Sequence, residues 1–207
     1  MSKTVPLEYD NYYHIYNKGI NGTILFRETG NYEHFLRLYD EYIGHIAETF
    51  AWVLMGNHFH LLVKIKNEEE IDFIKPTEKN KSIEYQEKKK YNPSKQFSHL
   101  FNAYSKAYNK KYKRTGSLFE TPFRRIKITD EKYFRQLVFY IHNNPVHHGF
   151  VEDMKDYPWS SYLTVISVKP TKINRKEILG WFNSKSEFVK FHNKNQDLTD
   201  INIFTVD

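Results

Sequence analysis

The chain has 207 residues, enough for one sizeable hydrophobic core and an appendage. It contains no cysteine, which excludes disulfides, thiolate zinc sites and a thiol nucleophile. No apolar run approaches the roughly 20 residues of a membrane span, and Met1-Ser2-Lys3-Thr4 has no signal-peptide core, so the sequence reads as soluble and cytoplasmic, with no membrane partner. Lys and Arg outnumber Asp and Glu by 31 to 25, for a net charge of +6, and aromatic residues make up 17%. That balance suits nucleic acid, because cations meet phosphates and rings stack on unpaired bases; aromatic residues also build cores.

In chain order, the aromatic-rich run from Tyr9 to Tyr16 reads as a first strand, followed by a loop from Asn17 to Gly22. His14 lies in that strand and reads as structural, approaching a site on another strand only if the two are neighbours. Asn31 is a candidate cap for a helix from Tyr32 to about Ala47, with Phe35, Leu38, Tyr42, Ile43 and Ile46 on its apolar face.

Thr49 to Met55 then reads as a strand, Gly56-Asn57 as a hairpin turn, and His58-Phe59-His60-Leu61-Leu62-Val63 as a buried strand. Side chains alternate along a strand, so His58 and His60 share one face while Phe59, Leu61 and Val63 share the other. The two imidazoles are either satisfied within the fold or a metal-binding pair.

Residues 64–96 turn to Lys, Glu and Asn and read as a mobile charged insertion, with some helix around Ser82 to Lys90. Phe97, Phe101, Tyr104, Tyr108 and Tyr112 then recur at helical spacing, with Gly116 as a stop. The stripe reads as a core face; its flank, with Lys106, Lys110 and Arg114, is a candidate DNA-binding surface. Ser117 to Ile128 reads as sheet and adds Arg124 and Arg125 to the DNA-binding candidates. Asp130 caps a helix from Glu131 to Asn144, ended by Pro145. Its buried face is Phe134, Leu137, Val138 and Ile141, and Tyr133, Tyr140 and Asn144 share an adjacent face. Trp159 to Tyr162 reads as a docking segment. The remainder, 166–207, reads as a helical C-terminal extension with one apolar patch from Ile178 to Phe191.

His58-Phe59-His60-Leu61-Leu62, Gly116-Ser117-Leu118-Phe119 and Tyr140-Ile141-His142-Asn143-Asn144-Pro145 together resemble the single-tyrosine HUH transposases of small insertion sequences and their domesticated relatives, the REP-associated tyrosine transposases. The resemblance covers about residues 9–162 and places the catalytic domain at 1–165. It implies an α+β fold, a ferredoxin-like or RRM-like antiparallel sheet with helices packed on it. It also implies nicking and rejoining of single-stranded DNA near a hairpin through a 5′-phosphotyrosine. Tyr140 matches the family's nucleophile, and His58, His60 and Asn144 match its ligands for Mg2+ or Mn2+. A homodimer and a monomer both fit the family. The alternatives are a domesticated, non-mobile relative acting on or only binding palindromic DNA, and a zinc hydrolase. The latter lacks a Glu-x-x-His helix, and Asn is a poor zinc ligand. Tyr104 is the rival nucleophile, but Tyr108 stands where the amide one turn later is needed.

Overall fold

The computed structural model describes residues 5–71 and 91–194. Four strands form one antiparallel sheet: β1 (Tyr12–Lys18), β2 (Ala47–Leu54), β3 (His58–Ile65) and β4 (Arg124–Ile128), in the order β2-β3-β1-β4. Two helices connect them, α1 (Thr29–Ile43) after β1 and α2 (Pro93–Lys111) after β3, giving the βαββαβ order of a ferredoxin-like α+β fold. Beyond the sheet come α3 (Glu131–His147), α4 (Tyr162–Ile166), α5 (Arg175–Trp181) and α6 (Lys185–His192).

The sheet is buried on both faces. Tyr13, Ile15, Phe59, Leu61 and Val63 join Phe35 and Leu38 of α1 and Phe97, Leu100, Phe101 and Tyr104 of α2 in one core. Leu62, Ala51 and Val53 point the other way and join Phe134, Leu137, Val138 and Ile141 of α3, with Ile178, Phe182 and Phe188 from α5 and α6, in a second. A strand buried on both faces carries few charges, which explains why β3 reads as a continuous apolar run broken only by its histidines and Lys64.

Several boundaries move. β1 extends over Asn17 and Lys18, assigned from sequence to a loop, because β3 pairs with them through Phe59 and His58. α1 starts at Thr29, and Asn31 is not its cap: its Oδ1 accepts from the Arg27 amide at 2.9 Å and the Tyr112 hydroxyl at 2.9 Å. α2 stops at Lys111, ahead of Gly116, and only Arg124–Ile128 of the expected Ser117–Ile128 strand is regular sheet. The ends of the expected insertion belong to the fold: Lys64 pairs with Tyr12, Ile71 is buried, and Asn92 caps α2 with Pro93 in its first turn. The expected helix around 82–90 lies outside the described residues.

Pro145 does not end α3, which continues to His147. Proline removes its own N–H and crowds the carbonyl four residues earlier, but leaves the next turn free to form. The His148 amide bonds the Asn144 carbonyl at 3.0 Å, and the Phe150 amide bonds the Pro145 carbonyl at 2.8 Å.

A buried polar chain ties α6 to α3 and β2. The Phe188 carbonyl can only accept, so His192 Nδ1 donates to it at 2.8 Å. Neutral His192 therefore accepts at Nε2 from His142 Nδ1–H at 3.0 Å. His142 Nε2 in turn accepts from the Ser161 hydroxyl at 2.7 Å, and Ser161 Oγ accepts the Trp52 amide at 2.9 Å.

Burial lowers the His192 pKa to about 4. With a folded pKa below the unfolded one, this group's stabilising effect is complete above pH 6.5. It is lost as pH falls toward 4, because the unfolded chain takes up a proton that the folded one refuses. The expected loss is ~3 kcal/mol by pH 4, measured by urea unfolding at pH 7, 5.5 and 4.5, with a shallower pH slope in His192→Leu. Equal slopes in the two proteins would contradict it.

Candidate active site

Strand alternation and register assemble one polar row on the α3 face of the sheet. Tyr16 of β1 lies opposite His60 of β3, and Lys18 lies opposite His58. His14, Tyr16 and Lys18 share parity, so all of them face the same side as the His58/His60 pair. α3 crosses above this row with Tyr140 and Asn144 one turn apart.

All five polar or aromatic groups at the centre are nearly inaccessible: His14 0%, His60 1%, His58 6%, Asn144 0% and Tyr140 6% exposed. His14 Nε2 and His60 Nδ1 are 2.9 Å apart. The Tyr140 ring stands edge-on to His60, with centroids 5.2 Å apart, and edge-on to His14 at 6.4 Å. Tyr16 stacks on His14 at 4.6 Å and on His60 at 5.7 Å. These rings wedge the imidazoles into fixed orientations.

His58 Nδ1 lies 2.8 Å from Asn57 Oδ1, and its Nε2 lies 3.1 Å from Asn144 Oδ1. Donation from Nδ1 to the Asn57 oxygen leaves a lone pair on Nε2, facing the lone pairs of Asn144 Oδ1. Meanwhile Asn144 Nδ2 is buried without a hydrogen-bond partner. Exchanging the amide oxygen and nitrogen turns this into an ordinary hydrogen bond. A cation between the two atoms satisfies them as they stand, and their 3.1 Å separation matches the roughly 3 Å between adjacent ligands of an octahedral ion with bonds of about 2.1 Å. In that amide orientation His58 and Asn144 suit two adjacent ligand positions of a divalent cation.

Burial pushes the His14 pKa down to about 3. His60 is held well below its usual value, first by burial and then by repulsion from His14, His58 and His148. Both imidazoles stay neutral at pH 7, the form in which a ring nitrogen binds metal.

Sequence reasoning paired Tyr140, Asn144, His58 and His60, and the fold brings all of them together. It treated His14 as structural; the structure puts His14 in contact with His60. It did not place Tyr16, Lys18 or His148, whose ring centroid is 5.2 Å from that of His58. The shared parity of His14, Tyr16 and Lys18 was the available signal for β1, and the i, i+4 spacing from Asn144 was that for His148.

The DNA-binding candidates divide between the two sheet faces. Arg124, opposite Tyr16, is exposed on the Tyr140 face. Lys106 and Lys110 are exposed on α2, across the sheet. Arg114 bonds Asn109 Oδ1 at 3.1 Å and the Ser117 carbonyl at 2.8 Å, bracing the end of α2. Arg125 lies 3.9 Å over the Phe123 ring and donates to Ser94 Oγ at 2.9 Å. A cavity of about 800 Å3 lies elsewhere, between α1, the β2 edge and residues 171–174; the row of imidazoles sits under a helix rather than in that cavity.

A REP-associated tyrosine transposase of Haemophilus influenzae, so described provisionally, is 30% identical over 118 residues, covering 56% of this chain and 58% of that protein. A solved structure of a REP-associated tyrosine transposase bound to a REP hairpin superposes with a TM-score of 0.61 at 18% identity, covering 83% of this chain and 90% of that one. The chain resembles REP-associated tyrosine transposases in sequence and in fold. The sequence match spans less than two thirds of the Haemophilus protein, and the structural match speaks to the fold. No protein-family model matches the chain. Among the described residues, no helix is long and apolar enough to cross a membrane.

Tyr104 is a core residue: its hydroxyl donates to the Leu25 carbonyl at 2.6 Å, and burial raises its pKa. Tyr104→Phe should cost about 1–3 kcal/mol by stranding that buried carbonyl, read as a lower urea midpoint. A midpoint equal to wild type would refute this role.

Proposed function

We propose that this chain recognises hairpin-bearing DNA and nicks and rejoins its single strand, with Tyr140 as nucleophile and His58, His60 and Asn144 as ligands of Mg2+ or Mn2+. The observation that carries the reading is the arrangement on α3: Asn144 Oδ1 lies 3.1 Å from His58 Nε2, and Tyr140 stands one turn earlier against His60. The likeness to REP-associated tyrosine transposases, one of them bound to a REP hairpin, supports the substrate class.

A divalent cation at this site would withdraw charge from a phosphate oxygen and orient the phosphate. Tyr140 Oη gives up its proton and attacks the phosphorus, the bond to the 3′ oxygen breaks, and that oxygen leaves as a hydroxyl, taking up one proton in place of the one the tyrosine lost. The 5′ phosphate remains esterified to Tyr140. A later 3′-hydroxyl reverses the exchange; one phosphate ester replaces another, so no triphosphate is consumed.

His14 has a defined part in this scheme. For His60 to present a lone pair at Nε2, its proton must sit on Nδ1, and Nδ1 then donates to His14 Nε2. His14 thus acts as the acceptor that selects the metal-binding tautomer of His60.

Incubation with an end-labelled hairpin substrate and Mn2+ should give a covalent adduct with wild type and with Tyr104→Phe, but none with Tyr140→Phe or in excess chelator. An adduct that persists in Tyr140→Phe refutes the assignment. Manganese binding, followed by electron paramagnetic resonance, should weaken about 10–100-fold in His14→Ala and less in His14→Gln, which keeps an acceptor. Unchanged affinity in His14→Ala would refute its part.

A further inference from the structure

Beside the imidazole row, the end of β1 carries a charged triad that the scheme above does not use. Lys18 lies opposite His58, and Arg124 lies opposite Tyr16, so both cations stand on the Tyr140 face. Lys18 is one strand spacing, about 4.8 Å, from His58 in the backbone. Between the cations sits Glu120, 3.9 Å from Lys18 Nζ and 3.8 Å from Arg124.

The backbone of Glu120 is firmly placed. Its amide donates to the Lys18 carbonyl at 3.0 Å, and its carbonyl accepts from Asn17 Nδ2 at 3.1 Å. The loop ahead of it bonds back through the Ile20 amide to the Leu118 carbonyl at 2.9 Å, while the Gly19 amide reaches Asn57 O at 2.8 Å in the turn before His58. The carboxylate is therefore delivered to one spot.

Its contacts with the cations are nevertheless loose. Both separations exceed hydrogen-bond length, and the side chains remain 23% (Lys18), 32% (Glu120) and 56% (Arg124) exposed. Ion pairs of this kind are weak and screened. A DNA strand presents successive phosphodiesters, each a monoanion with two non-bridging acceptor oxygens, and one of these competes for the same two donors at hydrogen-bond distance, where Glu120 stands farther off.

We propose that Lys18 and Arg124 form a clamp for the phosphodiester backbone of single-stranded DNA next to Tyr140, and that Glu120 occupies the clamp until DNA displaces it. The proposal rests on the nicking reading for its substrate and adds the residues that hold the strand.

The test measures binding of a fluorescent single-stranded oligonucleotide, with and without a hairpin, by anisotropy across a salt series. Adduct formation by wild type is scored in the same preparation. Lys18→Gln and Arg124→Gln should each weaken binding and reduce the slope of log K against log salt by about 0.7, and Lys18→Arg should restore it. Glu120→Gln should bind several-fold more tightly than wild type. Wild-type affinity and slope in both Gln variants would overturn the clamp, whether or not the adduct forms. Weaker binding in Glu120→Gln would overturn the displacement, making Glu120 a support for the cations. Reduced slopes without a wild-type adduct would leave the clamp standing and remove the nicking reading.

Discussion

The cost of burying imidazoles shapes this molecule. An uncompensated polar nitrogen in a dry interior is expensive, yet His14, His60, His142 and Asn144 are essentially inaccessible. The fold meets much of that cost by pairing: His14 with His60, His58 with Asn57, and His142 with Ser161 and His192, while Asn144 Oδ1 faces His58 Nε2 and its Nδ2 is left without a partner. His14–His60 ties β1 to β3, and His142 ties α3 to α6 and to Ser161, which holds the β2 backbone, so packing α3 and satisfying its buried imidazole go together. Burial keeps His14, His60 and His142 neutral, and the pairing fixes their orientation, as a metal site requires of its ligands.

The two faces of the sheet divide the work. On one, α1 and α2 bury Phe35, Phe59, Phe101 and Tyr104 in a core of interlocking rings. On the other, apolar residues of β2, β3, α3, α5 and α6 surround the polar row without interrupting it. Rigidity comes from the first face and chemistry is carried on the second. Residues of β1 serve both, with Tyr13 and Ile15 in the first core and His14 and Tyr16 in the row.

The continuation of α3 through Pro145 matters for the same reason. A helix that ended at Asn144 would leave that residue with cap geometry. The extra turn, anchored by the His148 amide on the Asn144 carbonyl, holds the carboxamide rigidly and swings His148 toward His58. A single-residue rule about proline misses this, because the bond that stabilises the turn is made by residues after the proline.

Local chemistry alone was enough for much of this. Alternation along His58 to Val63 put His58 and His60 on one face, the helical spacing of Tyr140 and Asn144 put a hydroxyl and an amide on one side of α3, and the Gly56-Asn57 turn announced the hairpin; each follows from backbone periods of 2 and 3.6 residues. The aromatic stripe from Phe97 to Tyr108 was likewise legible as core. What the sequence could not supply was adjacency between elements far apart in the chain. That β1 lies between β3 and β4, so that His14 touches His60 and Lys18 meets His58 and Glu120, depends on which sheet edges pair. The division of the basic residues between the two faces depends on which side of the sheet each helix covers. Those choices are made by burial summed over two cores, a quantity that no local window of residues contains.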